Sequence, residues 1–161
     1  MRSRLRGNSR VGLLRLHQAI EGPRMTASEK IQYLVSKHGY HPGTAAAYVE
    51  AQGFCMYCQE LVLDTRTGYS SGAIDHLIPR ADFPDLAMET ANWVYSCGSC
   101  NTMKSAYNPL LPHEAASDMI LHSKAALIGR VRDHLRAKIL GRNAEFEDIR
   151  RLILDPETSQ Q

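Results

Sequence analysis

Two short stretches, Cys55-Met56-Tyr57-Cys58 and Cys97-Gly98-Ser99-Cys100-Asn101, decide how this chain is read. Two residues between thiols let one tight turn aim both sulfurs at one ion, and two such knuckles complete a tetrahedron. Disulfide or redox use is the alternative, because an even cysteine count permits bridges. Export would favour bridges, but Arg15 and His17 interrupt the apolar stretch from Val11 to Ile20, so it does not read as a secretory signal. The same Arg-rich, acid-poor segment weakly resembles a mitochondrial transit peptide, and Met25 is a second candidate start. The paired spacing therefore reads as a closed, structural zinc site built from Cys55, Cys58, Cys97 and Cys100. The 38 residues between the pairs exceed the roughly 15–20 of a zinc ribbon, so the ion clamps the base of an inserted element. Such an ion supplies about 10–16 kcal/mol of apparent folding free energy, enough to hold a poorly cored module; Cys97→Ser is expected to unfold it.

Inside that element Asp75-His76 sets a hard oxygen donor beside a potential base. At a strand end, adjacent side chains diverge to opposite faces, so one can hold a metal while the other attacks from another side. Asn101 follows the last cysteine directly, and its position is pinned by the knuckle. A carboxylate and a neutral amide oxygen suit Mg²⁺ or Mn²⁺, which keep waters and accept phosphate oxygens.

Taken together, Cys55-x-Tyr57-Cys58, Ile74-Asp75-His76-x-x-Pro79 and Asn92-x-Val94-x-x-Cys97-x-x-Cys100-Asn101-x-x-Lys104 closely resemble the HNH endonucleases, the ββα-metal nucleases. The resemblance covers residues 54–108, and it implies two strands and a helix around one catalytic cation. It implies roles as well. His76 takes the general-base position, while Asp75 and Asn101 take the positions that ligate catalytic Mg²⁺ or Mn²⁺. Asn92 braces the loop and orients the base, and Lys104 and Arg80 are expected phosphate contacts. Asn101 stands where the family name has its last His, a variant common in the family. The Gly-Gly that often follows the Pro is replaced by Ala81-Asp82-Phe83-Pro84-Asp85. The implied activity is hydrolysis of DNA, double-stranded by expectation, to 5′-phosphate and 3′-hydroxyl ends. A monomer would nick and a homodimer would cut both strands. A neutral His76 is needed, so activity is expected to fall below about pH 6.5.

Outside the motif the chain reads as helical flanks, giving an α+β protein in which a small zinc-anchored ββα module sits between N- and C-terminal helices. Four segments are expected: a basic arm over 1–24, possessing six arginines against Glu21, a helical lead-in over 25–53, the nuclease module over 54–108, and a helical extension over 109–161. Thr26-x-x-Glu29 is a capping box, and Ile31, Leu34, Val35 and His38 follow at helical spacing until Gly39. His41-Pro42-Gly43 reads as a turn, with Thr44 capping a second helix through Gln52. Leu61 to Leu63 reads as a strand, Asp64 to Gly72 as a loop, and Ala73 to Leu77 as a strand. A short helix starting at Cys97 or Gly98 carries Asn101 and Lys104. Ile128, Val131, Leu135 and Ile139 form one stripe, expected to pack on the core. Gly141 is expected to end that helix, and Phe146, Ile149 and Ile153 mark another, which Asp155-Pro156 stops. Glu147 and Arg151 form an i,i+4 pair. Tyr57, Trp93, Tyr95 and Met103 read as core contacts, and the six histidines other than His76 as surface or local packing.

The net charge of +2 hides segregation. Residues 52–108 hold three bases against six acids, and residues 124–151 hold eight bases against four acids. Basic ends around an acidic middle fit a chain that grips a polyanion and holds a cation between, and charge runs alone fit a solvated surface equally. With 43% hydrophobic and 22% charged residues the composition is that of a folded protein, not a disordered one. No apolar run approaches the roughly 20 residues of a membrane span, so no membrane role and a cytoplasmic location are expected. The competing class is a zinc-knuckle module that binds nucleic acid without cutting it. Asp75, His76, Asn92 and Asn101 argue for catalysis, because pure binding needs none of them.

Overall fold

A computed structural model describes residues 25–154. The basic arm over 1–24, its His17 and the stop at Asp155-Pro156 lie outside the described residues. The chain is a mixed α+β protein: among the described residues, helices surround one small two-stranded sheet beside a cysteine cluster.

The first described helix, α1 (Ala27–His38), begins at the expected capping box, in which the Thr26 and Glu29 side chains each accept the other's backbone N–H. It ends at Gly39, whose φ of 70° is the left-handed cap that glycine adopts without strain. The second helix, α2 (Pro42–Ala51), starts earlier than expected. Pro42 occupies its first turn, and His41, not Thr44, caps it by accepting the Gly43 N–H on Nδ1 at 3.1 Å. The proline supplies the helical φ in advance and has no N–H to orphan, so what reads as a turn is a helix start.

Leu61 to Leu63 is not a strand. Only Leu61 bridges, to Phe54, and Val62–Asp64 closes into a 3-10 turn whose Val62 and Leu63 N–H groups both reach the Gly53 carbonyl. A strand needs a neighbour along its length, and none is aligned there. The expected loop after it contains a helix, α3 (Arg66–Ser71), capped by the Thr65 hydroxyl accepting from Gly68 at 2.9 Å. Hydroxyl-rich segments read as turns, yet the same hydroxyls cap helices.

The sheet is β1 (Gly72–His76) antiparallel to β2 (Trp93–Cys97), with Asp75 opposite Val94 and His76 opposite Trp93. β2 runs directly into α4 (Gly98–Lys104). The tail is α5 (Ala116–His122) and then α6 (Lys124–Leu154), 31 residues long. Gly141 does not end α6. A glycine stops a helix by turning left-handed, and Gly141 stays helical among good helix formers at a cost of about 1 kcal/mol. Phe146, Ile149 and Ile153 thus continue the stripe of the same helix, and all three are exposed. Glu147 pairs with Arg150, 3.6 Å away, in place of Arg151.

One core spans these elements. Leu127, Ile128, Val131 and Leu135 of α6 are buried with Leu77, Ile78, Val94 and Tyr95 of the sheet region and with Met119 and Ile120 of α5. Ile139 and Met103 pack on its edge. Tyr57 and Trp93 are buried, as expected of core aromatics. Two bonds tie α6 to the first knuckle and to α4: Arg132 donates to the Met56 carbonyl at 2.8 Å, and Lys138 to that of Met103 at 3.1 Å.

Candidate active site

The first knuckle is a closed turn. The Cys55 N–H donates to the Glu60 carbonyl and the Gln59 N–H to that of Cys55, both at 2.9 Å, while Gln59 takes a positive φ of 64°. The Met56 N–H reaches across to the Tyr95 carbonyl of β2 at 2.9 Å, which fastens the turn to the sheet. The second knuckle is a helix start: Cys97 caps α4, its sulfur accepting the Cys100 N–H at 3.4 Å.

The four sulfurs lie within 4.8 Å of one another, and all four cysteines are free thiols. The Cys58 and Cys97 sulfurs are 3.9 Å apart, far from the roughly 2.05 Å of a disulfide. Four ligands at Zn–S distances of about 2.3 Å around a tetrahedral ion stand about 3.8 Å apart, so this cluster fits zinc. Hydrogen bonds from Cys100, Cys58 and Cys97 drive the Cys55 thiol down, whereas the Cys55 sulfur drives the Cys100 thiol far up. Sulfurs this close compete to remain protonated, and a cation among them removes the conflict.

Asp75, His76, Arg80, Asn101 and Lys104 line one open cleft of ≈ 370 Å³ at the end of β1. The sheet delivers Asp75 and His76, the loop after Pro79 delivers Arg80, and α4 delivers Asn101 and Lys104. Asn92 is absent from the cleft wall. It is fully buried behind it, accepting the Ile78 N–H at 2.8 Å and donating to the Ile78 carbonyl at 2.9 Å. Its backbone carbonyl takes the Leu77 N–H at 2.8 Å, so both edges of the loop are tied to one residue.

His76 is half-buried, with Nε2 2.8 Å from the Ala87 carbonyl oxygen. A carbonyl only accepts, so Nε2 carries the proton and Nδ1 keeps its lone pair. Trp93 Nε1 donates to the same carbonyl at 3.1 Å, and its ring meets the imidazole edge-on. The motif contains no hint of this acceptor, which lies 11 residues on in an irregular loop.

Asp75 is buried in a tight frame. The Tyr57 hydroxyl donates to Oδ2 at 2.6 Å, and Lys104 Nζ stands 3.1 Å from the same oxygen. Lys104 is itself 2% exposed and donates to the His76 carbonyl at 2.8 Å. Burial, and then the Asp75 charge, push the Tyr57 phenol far up, so it stays a donor. Its hydroxyl contact was not legible as such; the available signal was its place between two ligands. Arg80 is exposed at the cleft rim.

Residues 55–106 match the family model described as HNH endonuclease. No curated protein and no solved structure matches the chain.

Proposed function

With an HNH endonuclease module over residues 55–106 as premise, we propose that this protein is a metal-dependent endonuclease that hydrolyses DNA phosphodiester bonds. Asp75 and Asn101 supply hard oxygen donors to the same cleft, a donor set that suits Mg²⁺ or Mn²⁺. An ion held there would neutralise charge on the phosphate and stabilise the departing 3′ oxygen. The His76 Nδ1 takes a proton from the attacking water as its oxygen bonds to phosphorus. The P–O3′ bond breaks and the departing 3′ oxygen takes a proton from solvent water, leaving a 5′-phosphate and a 3′-hydroxyl. The Ala87 carbonyl keeps the imidazole in the tautomer that can accept this proton. Asn92 touches no substrate; it positions the loop that faces the base. Arg80, at the rim, is the cation available to a phosphate of the duplex.

The observation that carries this reading is the convergence of Asp75, His76 and Asn101 on one cleft whose helix starts in the cysteine cluster. Thiols clustered without bridges fit zinc in a reducing compartment. Among the described residues no helix is long and apolar enough to cross a membrane. The test is plasmid nicking with Mg²⁺ or Mn²⁺, with and without chelator, on wild-type protein and His76→Ala. Cleavage is expected to need the ion and to fall by ~10²–10⁴-fold in the variant. His76→Ala cutting at the wild-type rate would overturn the assignment.

One contact favours a second reading, nucleic-acid binding without cleavage: Lys104 already neutralises the carboxylate of Asp75. That reading requires DNA retention with no nicking under any divalent ion.

A further inference from the structure

Tyr57 touches both candidate metal centres. Its backbone N–H lies 3.4 Å from the Cys55 sulfur, and its hydroxyl reaches Asp75 Oδ2 at 2.6 Å. We propose that Tyr57 is a positioning residue through which the four-cysteine site sets the geometry, and hence the metal affinity, of the catalytic carboxylate. This rests on the nuclease reading of the cleft.

The geometry limits what Asp75 can do. Oδ2 is engaged twice, by the Tyr57 hydroxyl and by Lys104 Nζ, while Oδ1 has only the longer 3.5 Å contact to Lys104. Oδ1 is therefore the oxygen left to a divalent ion, and the two donors on Oδ2 select the carboxylate rotamer that presents it. Both donors are themselves buried. Tyr57 is 2% exposed and lies in a turn whose ends are cysteines, and Lys104 ends the helix that Cys97 caps. A sulfur-bound ion thus fixes both donors at once, one from each knuckle. Partners of this kind, which hold a ligand without meeting the ion, are typically worth ~10–100-fold in metal affinity or activity.

The test titrates Mn²⁺ into the zinc-loaded full chain, following free Mn²⁺ by electron paramagnetic resonance, for wild type, Tyr57→Phe and Asp75→Asn. Tyr57→Phe keeps the ring and loses only the hydroxyl. It should bind Mn²⁺ ~10–100-fold more weakly while retaining one zinc per chain. Cleavage should show the same shift in half-saturating Mn²⁺, with the rate at saturating Mn²⁺ recovered. Wild-type Mn²⁺ affinity in Tyr57→Phe, with Asp75→Asn impaired, overturns this inference and leaves the nuclease site standing. Wild-type affinity in Asp75→Asn overturns both. Should Tyr57→Phe lose its zinc, the wild-type chain decides: with cobalt in the four-cysteine site, Mn²⁺ should shift the thiolate–cobalt absorption, and should not in Asp75→Asn. An unmoved wild-type band overturns the coupling.

Discussion

Asn92 shows how much a single buried amide can hold. It satisfies both backbone groups of Ile78, a residue with no exposed surface, and thereby closes the loop that carries Pro79 and Arg80 to the cleft. Asn92→Ala orphans a buried donor and a buried acceptor, each costing ~1–3 kcal/mol. We expect urea unfolding to show a loss of about 3 kcal/mol, with zinc retained. A change under 1 kcal/mol would mean that water replaces the amide. Lys104 carries the complementary lesson. From sequence it is a cation three residues beyond a candidate ligand, and a phosphate contact is the natural expectation. In the fold its ammonium is buried between Asp75 and the His76 carbonyl. The motif has the spacing but not the burial, and burial turns a surface cation into a carboxylate's partner.

At the scale of elements, short pieces depend most on their surroundings. The knuckle-to-helix step at Cys97 and the capping box at Thr26 are local hydrogen-bond patterns, and they are as legible in the sequence as in the fold. The segment from Leu61 to Ser71 was not, because whether an apolar triplet pairs or curls depends on a neighbour that sequence does not display. Helix α6 makes the same point at Gly141, where a stop signal is overridden by the helix around it. Nothing lies within 4 Å of the position a Gly141 Cβ would take. Gly141→Ala should therefore stabilise by ~1 kcal/mol and raise the thermal midpoint by a few degrees in circular dichroism. A lower midpoint would contradict an unbroken α6.

For the whole molecule, the question is how α6 is held to the segment that leads out of the module. Part of the answer is an ion pair: Arg130 of α6 grips Glu114 through two nitrogens and donates to the Pro109 carbonyl. Hydrogen bonds from Arg130, and then from the Leu111 backbone, hold the Glu114 carboxyl down at about 2. A carboxyl depressed by folding adds stability above its ordinary value of 4.5, and that stability is lost as pH falls towards 2. The unfolding midpoint of wild type should thus exceed that of Glu114→Gln by a constant amount above pH 5. The gap should close on approach to pH 2, and one independent of pH would rule the pair out as a fastener.

The order of the residues was enough to establish the two knuckles, the place of Asp75 next to His76, the helix carrying Asn101 and the buried stripe of α6. These are short-range spacings, and a turn or a helix converts spacing directly into direction. The tertiary structure alone decided that the Ala87 carbonyl sets the His76 tautomer, that Tyr57 and Lys104 close on Asp75, and that α6 braces the Met56 carbonyl. Each of those contacts joins residues 11 to 76 positions apart. Only the packing of one element on another brings such groups within hydrogen-bond reach, and no periodicity along the chain records it.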